Sequence, residues 1–215
     1  MVNALIDRGA DVNAPSTNPK YKKGTPLMVA SAMGRVELMR VLLAAGARVN
    51  LGDASGDTAL MDASSCGQVE AIRVLLAASA QINQVDASGF TALIAASREG
   101  QVEAIRVLLA AGAQINQVSV PGFTALMAAS GNGHVQAVKV LLAAGAQINQ
   151  CGAIGGTALM LASGYGHVQA VEVLLAAGAD PRIATPEGYT AFTVTRHPAI
   201  FSLLQAKLAE LASSA

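Results

Sequence analysis

Residues 91–123 read TALIAASREGQVEAIRVLLAAGAQINQVSVPGF, and at residue 124 the string begins again as TALMAASGNGHVQAVKVLLAAGAQINQ. Working outward, Thr25, Thr58, Thr91, Thr124, Thr157 and Thr190 each stand 33 residues apart. Nine residues after the first five come Gly34, Gly67, Gly100, Gly133 and Gly166, and an Asn recurs at 50, 83, 116 and 149. A fixed period of this length marks a stack of identical supersecondary units. Within a unit the Thr is an N-cap, its hydroxyl placed to accept a free N–H of the first turn. Pro26 occupies the first helical position, where a missing N–H costs nothing. The middle Gly ends this first helix. A second follows, with Val69, Ile72, Leu75 and Leu76 spaced three to four apart on one apolar face. Gly46, Gly112, Gly145 and Gly178 end the second helices, where a left-handed residue is wanted. Gly56, Gly89, Gly122, Gly155 and Gly188, two before the next Thr, mark a turn in the connecting loop. No unit buries its apolar face alone, so neighbours must stack into a continuous core.

These residues resemble the ankyrin-repeat family: the 33-residue period, the T-P/A-L start, the G-H or G-Q turn, the V-L-L-x-x-G-A run and the Asn that follows. The resemblance implies an all-α solenoid with β-hairpin loops, each unit two antiparallel helices with a hairpin projecting from them. It also implies a module that binds a partner protein or peptide through its concave face and hairpin tips, without catalysis and without a cofactor. The expected organisation is a single domain over 1–215. Its parts are a truncated first repeat with an enlarged hairpin (1–24), full repeats at 25–57, 58–90, 91–123, 124–156 and 157–189, and a degenerate capping repeat (190–215). The chain departs from the family at several places. Where the family prefers His, three residues after Thr, stand Met28, Met61, Ile94, Met127, Met160 and Thr193, so apolar packing is expected to replace that bonding. Ser79 stands where the other second helices end in Gly. The first repeat lacks its first helix, and Pro15, Pro19, Lys20, Lys22 and Lys23 fill a lengthened loop.

Composition excludes several functions. Lys+Arg and Asp+Glu balance at 14 each, which leaves no electrostatic case for nucleic acid or an anionic membrane. No apolar run approaches the roughly 18 residues of a span. Cys66 and Cys151 are too few for a disulfide framework, and no leader is visible, so an intracellular, cytoplasmic, monomeric protein is expected. His134 and His167 occupy equivalent turns one repeat apart. Helices stacked about 8–10 Å apart hold them too far from each other to share a metal. GAIGG at 152–156 lacks the Lys of a phosphate loop.

Framework positions explain folding, so information about a partner belongs where repeats differ. In the family these are the hairpin tip, the residue before Thr, and the two residues seven and eight after it. In register they give Asp57, Phe90, Phe123 and Tyr189 before Thr, and Arg98, Glu99, Asn132 and Tyr165 after it. Four of the chain's seven Phe and Tyr residues fall in these slots, and aromatics with Arg are what binding hot spots use. The resemblance also marks Asn50, Asn83, Asn116 and Asn149 as candidates for asparaginyl hydroxylation, although each is equally a framework residue. Two other readings stand beside the free-standing module: a regulatory arm of a larger enzyme or channel, and an engineered scaffold.

Overall fold

The computed structural model describes residues 8–16, 24–120 and 122–213. Twelve helices occur among them. They come in pairs: α1 (Pro26–Ala32) and α2 (Val36–Ala44), α3 (Ala59–Ser65) and α4 (Val69–Ala77), α5 (Ala92–Arg98) and α6 (Val102–Ala110). The series continues with α7 (Ala125–Gly131) and α8 (Val135–Ala143), α9 (Ala158–Gly164) and α10 (Val168–Ala176), then α11 (Ala191–Val194) and α12 (Pro198–Ser213). The fold is the expected helical repeat stack. The connecting loops close as compact turns with one isolated antiparallel bridge, Gly52 to Thr58, and no regular strand among the described residues. The lengthened loop at Pro19–Lys23 and the first residues of the truncated repeat lie outside the described residues.

Each full repeat's first helix has seven residues and its second nine. Both are far below the ~12–15 residues at which an isolated helix becomes marginally stable, so capping and packing must supply the order. The caps form as read: all six repeat threonines accept, through Oγ1, the N–H three residues on, at 3.2–3.3 Å. The methionines do more than pack. The Thr25 N–H points at Met28 Sδ (3.3 Å) and the Thr58 N–H at Met61 Sδ (3.4 Å). The soft sulfur thus closes a reciprocal cap of the kind a Glu or Gln normally completes. In α11 the Thr193 hydroxyl takes that place, accepting from the Thr190 N–H at 2.8 Å.

The backbone divides into two compact units. The first holds residues up to Ala96 together with Glu103–Gln114. There α1 packs on α3 and α2 on α4, and Leu27, Met28, Met39, Leu60, Ile72 and Leu75 are all buried. The second holds Ser97–Val102 and everything from Ile115 onward. There α7 packs on α9 and α9 on α11, while α8 packs on α10 and α10 on α12. Along the first helix of each of the five full repeats the Leu and the Met or Ile after the Thr are almost wholly buried, as is the Ser six residues after it. Small Ala and Ser side chains let helices approach closely where bulkier ones would hold them apart. At the end of the second unit α11 shrinks to four residues and α12 lengthens to sixteen. The Phe192 ring packs on Phe201 with centroids 4.2 Å apart, and Ile200 and Leu204 are buried. This closes the last layer's apolar face.

Ser79 is the one non-glycine residue at positive φ among those described (+65°), at the position where Gly112 has φ +91°. A side chain in this conformation costs on the order of 1 kcal/mol. Nothing lies within 4 Å of a Cβ built on Gly112, so any substitution there pays for backbone strain and not for a clash. Ser79→Gly is therefore expected to raise the denaturant midpoint by the equivalent of up to about 1 kcal/mol. Gly112→Val is expected to lower it by about 1–2 kcal/mol, since a β-branched residue is least tolerated there. An unchanged midpoint in Ser79→Gly would mean the serine is unstrained.

Candidate functional site

The chain from one second helix to the next first helix is built in two steps. The first step is the recurring Asn. Asn13 Oδ1 accepts from the Arg48 N–H at 2.8 Å, Asn50 from Gln81 at 2.8 Å and Asn83 from Gln114 at 2.8 Å, all within the first unit. In the second unit Asn116 accepts from Gln147 and Asn149 from Asp180, both at 2.9 Å. Every one of these amides therefore ties its own loop to the backbone of the next repeat. The ladder stops where Arg182 replaces the Asn. Arg182 instead folds back on Asp180 with two bonds, Nε to Oδ1 (2.9 Å) and Nη2 to Oδ2 (3.0 Å). The guanidinium's hydrogen bond holds the Asp180 carboxyl below the usual carboxylate range.

The second step is the tip. Asp53 Oδ1 accepts from the N–H of Ser55 and of Asp57, and Asp86 Oδ1 from Ser88 and Phe90, at 2.8–3.0 Å. In the next tips Ser119 Oγ accepts from the Phe123 N–H (3.0 Å) and Thr185 Oγ1 from Tyr189 (3.2 Å). The same corner is closed by backbone bonds, such as Asp86 N–H to the Phe90 carbonyl. The residue before each of these threonines is therefore pinned by the first residue of its own tip, which gives a partner-facing slot a fixed backbone.

The slot residues differ in exposure. Tyr165 (70% exposed) and Tyr189 (56%) stand out from the second unit, and Arg98, Glu99 and Asn132 are also exposed. Phe90, Phe123 and Asp57 are half-buried, so the two phenylalanines combine packing with a presented edge. Arg98 Nε bonds Glu99 Oε1 at 3.0 Å with both side chains about half exposed. Asn132 Nδ2 donates to the Ala128 carbonyl (2.9 Å), which folds its amide onto its own helix. The Tyr165 ring lies near the Gly131 backbone and 6.4 Å from the His167 ring. His134 Nε2 meets the Arg98 carbonyl at 2.9 Å and His167 Nε2 the Gly131 carbonyl at 3.0 Å. A carbonyl only accepts, so Nε2 carries the proton in both. Each imidazole ties the start of a second helix to the end of the previous repeat's first helix, α5 for His134 and α7 for His167, and that end is where the slot residues sit. Cys66 and Cys151 are free and exposed. An open depression of about 730 Å³ between α8 and α10 is bordered by Gln136, Lys139, Gln169 and Glu172, all solvated polar groups. Two exposed apolar residues, Val120 and Ile154, lie at tips but are not among the residues singled out from the sequence.

A family model for ankyrin repeats in three copies matches the chain over residues 1–86, 53–119, 79–152 and 117–185. No curated protein matches it.

Because each Asn amide bridges two repeats at an exposed site, its loss exposes partners to water and does not strand them. Asn116→Ala is expected to cost about 0.5–1.5 kcal/mol, read as a lowered urea midpoint, with faster hydrogen exchange at the Gln147 amide. Protection at Gln147 that survives the substitution would show that the bond carries nothing.

Proposed function

The chain belongs to the ankyrin-repeat family, whose members are generally protein-interaction modules, and on that premise we propose that it holds a protein or peptide partner and does no chemistry of its own. The contact residues are those of the variable slots, Asp57, Phe90, Arg98, Glu99, Phe123, Asn132, Tyr165 and Tyr189, carried on the repeats 25–57 through 157–189. The observation that supports this most is the exposure of Tyr165 and Tyr189, large rings held on a pinned backbone with most of their surface in water. A folded chain gains nothing from leaving such area exposed, whereas a partner that covers it gains about 25 cal/mol per Å². The exposed, unpaired thiols of Cys66 and Cys151 suit a reducing compartment, which supports an intracellular site of action. No helix among the described residues is long and apolar enough to cross a membrane.

The hydroxylation reading of Asn50, Asn83, Asn116 and Asn149 is kept as a secondary proposal. Their amides are engaged in the ladder, so modification must either preserve those bonds or wait for a loop to open.

Binding should separate from stability. Tyr165→Ala removes an exposed ring and is expected to leave the melting temperature within about 2 °C. Phe90→Ala and Phe123→Ala, half-buried, are expected to lower stability by about 1 kcal/mol as well. All three should weaken capture of a partner from native lysate by about 1–2 kcal/mol in affinity, measured on the partner identified by mass spectrometry. A set of captured proteins identical for the wild type and the triple variant would remove the slot residues from the site. Nothing captured above a denatured control would remove the module reading itself.

A further inference from the structure

From residue 107 to 171 the chain contains a single Asp, Glu, Lys or Arg, which is Lys139. At the chain average of 13% charged residues, a stretch of this length would carry about eight. Lys139 stands on α8, a second helix, where it borders the depression facing α10. The tips of this stretch therefore carry no Asp, Glu, Lys or Arg. Elsewhere the tips do: Asp53 and Asp57 in 53–57, Asp86 in 86–90, Glu187 in 185–189. Even the carboxylate that pins the corner in the first two tips is replaced, by Ser119 and then by Gly152.

These two neutral tips are also the most apolar. Val120 is 75% exposed and Ile154 74%, with Val118 and Cys151 exposed beside them. The tips abut: a Cβ on Gly122 would overlap the backbone nitrogen of Ala153, and one on Gly152 would overlap the Gly122 carbonyl oxygen. The glycines permit this approach, so the apolar side chains of successive repeats share one surface.

We propose that the paired tips take, through Val118, Val120, Cys151 and Ile154, an uncharged, apolar segment of a partner protein. The proposal rests on the module reading and names the partner's chemistry. A surface with no charge repels no particular sign, but it discriminates through desolvation. A carboxylate or ammonium buried against Val120 and Ile154 loses water and finds no counter-charge on either of these two tips, a penalty that an apolar side chain does not incur. The neutral surface thus selects by what it cannot pair. Attraction here is hydrophobic, so it does not depend on ionic strength.

The test uses the full chain, immobilised, against a display library of random peptides about twelve residues long, comparable to the two tips it must cover. The enriched pool is expected to be depleted in Asp, Glu, Lys and Arg by at least about threefold against the input, with Leu, Ile, Val or Phe in their place. The best synthetic peptide should change its Kd by less than about twofold between ~0.05 and ~0.5 M NaCl. Val120→Asp and Ile154→Asp should each weaken it by about tenfold or more, and Ile154→Ser, which removes apolar area without adding charge, by at least about threefold. Glu70→Gln, on a second helix of the first unit, should leave it unchanged. Unaltered circular dichroism and melting show that the variants fold. Charged winners with salt-dependent affinity overturn the proposal. So do winners indifferent to Val120 and Ile154 but lost in Phe90→Ala or Arg98→Ala, a result that leaves the module reading standing. Binding of neutral phosphatidylcholine vesicles, or dimerisation abolished by Ile154→Asp, with no peptide enriched, overturns it in favour of a different occupant.

Discussion

The structure depends on one constraint: a pair of helices seven and nine residues long cannot cover its own apolar face, so each repeat borrows cover from the next. Everything repeated in the chain serves that exchange. Ala and Ser on the first helices let layers approach, and the Leu, Met and Ile beside them fill the space between. The Asn amides then join five successive loops each to the next repeat's backbone, and His134 and His167 join α8 and α10 to the first helix of the repeat before. Cooperation of this kind makes stability a property of neighbours, which is why one strained joint at Ser79 matters locally.

A framework supplied by repetition leaves the remaining positions free to vary. The Thr that caps a first helix tolerates Gly, Asp, Phe or Tyr before it, because that residue is held by its backbone. A side chain presented from a pinned backbone loses little further entropy when a partner covers it, which favours affinity. Binding can therefore be tuned, repeat by repeat, at small cost in stability. The half-buried Phe90 and Phe123 mark where the two demands overlap.

Much of this was legible in the sequence, because caps and apolar faces are local signals. The spacing of Thr25 to Thr190 places every first helix to the residue after its cap, and Ser79 stands out as a missing Gly whose φ is indeed positive. Less legible was how far each slot residue is exposed, since that depends on which neighbouring tip covers it. Phe90 and Tyr189 occupy the same slot yet differ in burial. The sulfur contacts of Met28 and Met61 read only as packing, because thioethers are weak acceptors. Val120 and Ile154 escaped a slot-by-slot reading altogether. Their signal lay in the long interval between Arg106 and Glu172 that holds one charged side chain, Lys139, visible only when the repeats are read across and not along.

The central claim is that framework and partner surface are two separable sets of residues on one repeat. It is tested most directly by a single-residue alanine scan of the whole chain with two readouts on each variant: resistance to proteolysis, and affinity for one selected ligand. The account predicts that stability losses recur with the 33-residue period at buried positions. Binding losses should concentrate without period at exposed slot and tip residues whose stability is unchanged. Binding losses that track stability losses residue by residue, with no position affecting affinity alone, would contradict it.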